Sequence, residues 1–137
     1  MAVGNKTVAD ISLLIVDDLS FMRSAIREIA EEAGFQVVGE AENGWDGYKS
    51  YTEKLPDVVL MDITMPVMDG LKSLRRIRRE YPQACVVMCS ALGQQKYIIK
   101  AIQSGAKDFI VKPFRPERIV SAVKKAAGVD ENGYASN

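Results

Sequence analysis

Five short, unbroken apolar runs punctuate the chain: Leu13 to Val16, Val37 and Val38, Val58 to Met61, Cys85 to Cys89, and Phe109 to Val111. Each is followed by a stretch with helical spacing. Runs that do not alternate with polar residues suit strands buried on both faces, as in a parallel sheet held between two helical layers. The pattern therefore predicts an α/β chain built from repeated βα units.

The predicted first helix starts at Ser20 as N-cap, carries Met22, Ile26, Ile29 and Ala33 on one stripe and stops at Gly34. A second runs from about Trp45 to Lys54 and ends before Pro56. The third, Gly70 to Glu80, turns Leu71, Leu74 and Ile77 inward and leaves Arg75, Arg76, Arg78 and Arg79 as a solvated face. The fourth covers about Gln94 to Ser104, and the fifth, with proline at its first turn, Pro116 to Ala127. Residues 1–10 and 129–137 lack periodicity and are expected to be flexible extensions of one domain spanning 11–128.

Composition narrows the chemistry. A chain of 137 residues with 47% hydrophobic and 26% charged residues has room for one globular unit. Eighteen basic and eighteen acidic residues cancel, so no global field draws the chain to DNA or to a membrane surface. Histidine is absent, which removes the commonest general base and the commonest metal ligand. Cys85 and Cys89 share one predicted strand. Four residues there span about 13 Å, beyond the ~7 Å a disulfide tolerates between Cα atoms. Reduced thiols and a cytoplasmic location are the expectation.

Parallel strands all end on one edge, so residues far apart in sequence gather there. Asp17 and Asp18 end the first strand, Asp62 the third, Ser90 the fourth and Lys112 the fifth. In the strand order 2-1-3-4-5, a common one for such sheets, the first and third strands flank the point where the order reverses, which is where open α/β sheets bind ligands. Three carboxylates converging there repel one another unless a hard cation such as Mg²⁺ joins them. A carboxylate beside Mg²⁺, facing an ammonium and a hydroxyl, can attack phosphorus and become an aspartyl phosphate. Asp62 is the candidate nucleophile, Lys112 the counter-charge and Ser90 a donor to a phosphoryl oxygen.

These residues resemble the receiver domain of bacterial two-component response regulators, and within it the stand-alone chemotaxis members. The likeness runs from about Ser12 to Ala127. It rests on Leu14-Ile15-Val16-Asp17-Asp18, Met61-Asp62-Ile63-Thr64-Met65-Pro66, Met68-Asp69-Gly70, Cys89-Ser90-Ala91 and the stretch from Gly105 to Phe114. The resemblance implies a flavodoxin-like (βα)5 fold, a doubly wound parallel five-stranded sheet. It implies that Asp62 takes phosphate from a histidine kinase and that Asp18, Asp62 and the Thr64 backbone carbonyl bind Mg²⁺, with Asp17 completing the acidic set. It makes Ser90 and Phe109 a switch pair acting on the surface of the fourth helix, fifth strand and fifth helix, and it implies a cis Lys112-Pro113 bond. Thr64 stands where enteric relatives carry an asparagine used in assisted dephosphorylation, and Leu92 is a second position that tunes phosphate lifetime.

Tyr97, Ile98, Ile99, Ala101 and Ile102 cover an arc of about 200° on the fourth helix, wider than the ~100° needed to face one core. The excess either packs under neighbouring loops or is exposed to a partner; the resemblance implies the second, with Tyr97, Ile98, Ile102 and Phe109 as the expected partner surface. By resemblance the partners are a histidine kinase, the flagellar motor switch and, as an open possibility, a phosphatase, with the chain acting as a monomer. It would be no enzyme beyond its own phosphorylation and slow dephosphorylation. The alternative is a phosphorelay intermediate that passes its phosphate to another histidine protein. A flavin carrier is disfavoured because Asp17 and Asp18 would repel the flavin phosphate. An aspartate-dependent phosphatase is disfavoured because Thr64 replaces its second acid.

Overall fold

A computed structural model describes residues 7–91, 94–130, 132 and 134. Its strands β1 (Ser12–Val16), β2 (Gln36–Ala41), β3 (Val58–Asp62), β4 (Val86–Ser90) and β5 (Asp108–Val111) alternate with helices α1 (Ser20–Glu32), α2 (Gly44–Lys54), α3 (Gly70–Glu80), α4 (Ile98–Gln103) and α5 (Pro116–Ala126). All neighbouring strands pair in parallel, in the order β2-β1-β3-β4-β5. This is the flavodoxin-like doubly wound sheet that the sequence pattern and the resemblance imply.

Unbroken apolar runs are explained by two cores, one on each face, because successive strand residues point to opposite sides. Leu14, Val16, Val59, Met61, Val86 and Met88 meet Leu71, Leu74 and Ile77 of α3 and Tyr51 of α2. Leu13, Ile15, Val58, Leu60, Val87 and Cys89 meet Ile26 and Ala30 of α1 and Ile119, Ala122 and Val123 of α5. Both cysteines are free, as their spacing requires. No helix among the described residues is long and apolar enough to cross a membrane.

Several boundaries differ from the sequence reading. Ser20 is the first residue of α1 rather than its cap: Leu19 occupies the cap position and its carbonyl accepts the Met22 and Arg23 N–H groups, while its own N–H is held by the Asp17 carboxylate. The fourth helix is shorter than expected. Gln95–Tyr97 form a 3-10 turn, with the Tyr97 N–H bonded to the Gln94 carbonyl, and regular helix begins only at Ile98. The described part of the N-terminal extension carries local structure. Val8–Asp10 is a 3-10 turn closed by reciprocal bonds between Thr7 and Asp10, and Val8 packs on the core. At the other end Val129 is buried, so the packed chain passes the expected boundary at 128.

Candidate functional site

Register places the chemistry. Val16 of β1 pairs with Met61 of β3, Asp62 with Cys89 of β4, and Ser90 with Val111 of β5. Asp17 therefore stands level with Asp62, while Ser90 lies one residue and Lys112 two residues further along, all of them at the carboxyl edge. Asp17, Asp18 and Asp62 each offer a carboxylate oxygen, and these oxygens lie within 4.8 Å of one another. The structure thus brings together the acidic set and the lysine that the sequence singled out.

The three carboxylates are held differently. Every polar group of Asp17 is engaged: its N–H by the Ala41 carbonyl at 3.0 Å, its carbonyl by Arg23, Oδ1 by the Leu19 N–H at 2.9 Å and Oδ2 by Lys112 Nζ at 2.9 Å. Asp18 is exposed. Asp62 is 9% exposed, and its Oδ1 accepts the Ile63 N–H at 3.0 Å and lies 3.6 Å from Lys112 Nζ. Burial raises the Asp62 carboxyl to a pKa of about 6, with Lys112 pulling it down and Asp17 pushing it up. Burial works against the Lys112 ammonium, but its hydrogen bond to Asp17 and the charges of Asp62 and Asp17 win, and its pKa is raised. Burial pushes the neighbouring Cys89 thiol up to about 12, so it is an inert packing group.

The loop after Asp62 is tied to the scaffold at several points. Gly70 donates to the Ile63 carbonyl at 2.7 Å, Gly44 of α2 to the Met68 carbonyl at 2.8 Å, and Ser73 Oγ to the Gly44 carbonyl at 2.7 Å. Asp69 caps α3 through Lys72 N–H. A Cβ on Gly70 would overlap the Asp62 carbonyl, so glycine is required there. Between these anchors, Met68 N–H bonds to the Pro66 carbonyl at 2.7 Å around Val67, whose φ is 70° and whose side chain is 82% exposed. A β-branched residue in this tight positive-φ turn is strained.

The remaining candidates are placed less directly. The buried Ser90 hydroxyl donates to the Ala91 carbonyl over a long 3.4 Å. Half-buried Phe109 packs on the core formed with α2, α3 and α4. Thr64 is exposed, and its Oγ1 accepts Gln94 Nε2 at 2.8 Å while Gln94 Oε1 accepts the Ala91 N–H at 3.1 Å. Sequence reasoning missed Gln94, since nothing in a lone loop glutamine signals a bridge between two loops. Leu92 lies outside the described residues. On the expected partner surface, Ile102 is 49% exposed while Tyr97 and Ile98 are half-buried, and Ile99, part of the same arc, is the most open of them at 67%. The Lys112-Pro113 bond is cis. Three of the basic residues of α3 are engaged: Arg75 bonds Ser104, Arg76 pairs with Glu80 and stacks on Trp45 and Tyr48, and Arg78 grips the Pro82 and Ala84 carbonyls.

The donor set suits a hard divalent cation. It offers carboxylate oxygens only, with no imidazole anywhere in the chain, and that chemistry suits hard cations such as Mg²⁺, Ca²⁺ or Mn²⁺ over softer metals.

Comparison with known proteins agrees with this geometry. Residues 13–124 match the profile of the response regulator receiver domain. The chain is 54% identical over 117 residues to the chemotaxis protein CheY of Listeria monocytogenes, covering 85% of this chain and 98% of that protein. It is 54% identical over 113 residues to CheY of Bacillus subtilis, covering 82% and 94%. Among solved structures, the CheX-CheY-BeF3-Mg complex of Borrelia burgdorferi contains a chain that superposes with a TM-score of 0.80 at 34% identity, covering 84% of this chain and 87% of that one. A carboxyl-edge acidic cluster on a 2-1-3-4-5 sheet, and relatives matched over nearly their whole length, place this chain in the response regulator receiver domain family, among its CheY-like members.

Proposed function

We propose that the chain is a phosphorylation-switched signalling protein of the chemotaxis type, which accepts phosphate on Asp62 from a histidine kinase in the cytoplasm. The reading is carried by one observation: the recessed Asp62 carboxylate sits among Asp17 and Asp18 and 3.6 Å from the Lys112 ammonium. A carboxylate so placed meets an incoming phosphoryl group with the nucleophile, the counter-charge and the metal-binding oxygens already assembled.

In the transfer, one Asp62 oxygen attacks phosphorus as the P–N bond of a phosphohistidine breaks. The imidazole leaves with the bonding pair and takes a proton from water. Lys112 faces the charge that collects on the phosphoryl oxygens, and Ser90 turns its hydroxyl toward them. Asp18, Asp62 and the Thr64 backbone carbonyl would hold Mg²⁺, with Asp17, already bonded to Lys112, orienting the set. Mg²⁺, when bound, supplies neutralisation of the phosphoryl oxygens.

Rotation of Ser90 frees space beside β4, and Phe109 moves inward to alter the face of α4, β5 and α5. Ile99, Ile102 and Tyr97 lie on that face and would meet the flagellar motor switch. The Borrelia complex, named for CheX, BeF3 and Mg, supports both Mg²⁺ and a protein partner for this chain. The test is transfer from a chemotaxis kinase carrying labelled phosphohistidine. Loss of label from the kinase and its appearance on this chain, but not on Asp62→Asn, is expected; label retained by the kinase would refute the reading.

A further inference from the structure

We propose that Arg23 is a positioning residue for the cation site, one that fixes the peptide between Asp17 and Asp18 so that the Asp18 carboxylate is held against Asp62. Its Nη1 donates to the Asp17 carbonyl at 2.6 Å and its Nε to Glu40 Oε1 at 3.0 Å, with the side chain only 15% exposed. Glu40 is anchored in turn, because its second oxygen accepts Arg27 Nε at 2.7 Å. The guanidinium thus joins α1 to the end of β1 and to β2.

The grip acts on the right bond. Asp17 N–H is fixed by Ala41 and its carboxylate by Leu19 and Lys112. Its carbonyl is the remaining handle on the Asp17-Asp18 peptide plane, and that plane sets where the exposed Asp18 points. Without Arg23 the plane is free to rotate and the Asp18 oxygen leaves the cluster for water.

The sign of the effect separates positioning from simple electrostatics. Removing a positive charge near an acidic site should, by Coulomb attraction alone, tighten Mg²⁺ binding. Positioning demands the opposite. Arg27 supplies the control, since it shares Glu40 and helix α1 but has no bond to Asp17.

The inference rests on the reading of Asp17, Asp18 and Asp62 as a Mg²⁺ site. The experiment is calorimetric titration of the phosphate-free protein with Mg²⁺ alone, with unfolding midpoints recorded in parallel. Loss of one charge-assisted hydrogen bond corresponds to a weakening of about tenfold for Arg23→Gln. Arg23→Lys keeps the charge but not the fork, so its affinity should fall between wild type and Arg23→Gln. It also serves if the glutamine variant does not fold. Arg27→Gln removes one support of Glu40 but no bond to Asp17, so it should weaken binding much less than Arg23→Gln. Binding by Arg23→Gln as tight as wild type or tighter, or equal weakening in Arg27→Gln, would overturn the inference while leaving the site intact. Failure of the wild type to bind Mg²⁺ would instead overturn the site reading and this inference with it.

Discussion

Lys112 Nζ donates to Asp17 Oδ2 at 2.9 Å, joining residues that stand 95 positions apart in the chain. The same ammonium is 3.6 Å from Asp62, so one cation moderates two carboxylates on adjacent strands. Lys112→Ala leaves those carboxylates facing each other half-desolvated, and should cost about 2–4 kcal/mol in urea unfolding at neutral pH. Because the Lys112 pKa is raised on folding, this contribution is complete below its ordinary value of 10.5 and is lost as pH rises through the folded value. The difference between wild type and variant should therefore shrink in strongly alkaline buffer.

Asp62 gives a pH dependence of the opposite kind. Its folded pKa of about 6 lies above its ordinary 3.8, so between those values the folded protein keeps a proton that the unfolded chain has released. Stability of the metal-free protein should fall as pH rises through that window and level off above it. Asp62→Asn should lack this slope, and above pH ~7 it should exceed wild type by up to an order of 3 kcal/mol. Adding Mg²⁺ should stabilise wild type and not the variant. Urea midpoints in chelator at about pH 4 and pH 8, then with Mg²⁺, check both statements.

Val67 holds φ 70° in an exposed turn. Asparagine tolerates that region far better than a β-branched residue, so Val67→Asn should raise stability by about 0.5–1 kcal/mol. The denaturation midpoint should rise with an unchanged slope; a fall would show that the isopropyl group contributes contacts outweighing the strain.

Gly70→Ala should do the reverse. Its methyl group would collide with the Asp62 carbonyl, and relief requires the phosphoacceptor strand or α3 to shift. A loss of about 2 kcal/mol or more is expected, with weaker Mg²⁺ binding in whatever fraction remains folded.

The layout of the site was legible because a strand end is a position in sequence. Parallel strands require Asp17, Asp62, Ser90 and Lys112 to share one edge, and the pairings put them there, staggered by up to two residues. What escaped the reading depends on side-chain reach or backbone angle. Arg23 lies on the polar side of α1 like several other charges, and only the fold shows its guanidinium reaching the Asp17 carbonyl. Helical spacing begins at Gln94, yet the Gln94 amide bridges Thr64 and Ala91 and regular helix starts at Ile98. Thr7 to Asp10 lacks apolar periodicity, but a reciprocal bond between its ends needs none. Positive φ at Val67 has no sequence signal, since valine is the residue least expected there.

The most direct measurement is the intact mass of the protein after incubation with acetyl phosphate and Mg²⁺. One added phosphoryl group on wild type, absent from Asp62→Ala and absent when Mg²⁺ is chelated, is the predicted result. Equal labelling of the Asp62→Ala variant, or labelling of wild type that does not depend on Mg²⁺, would contradict the account.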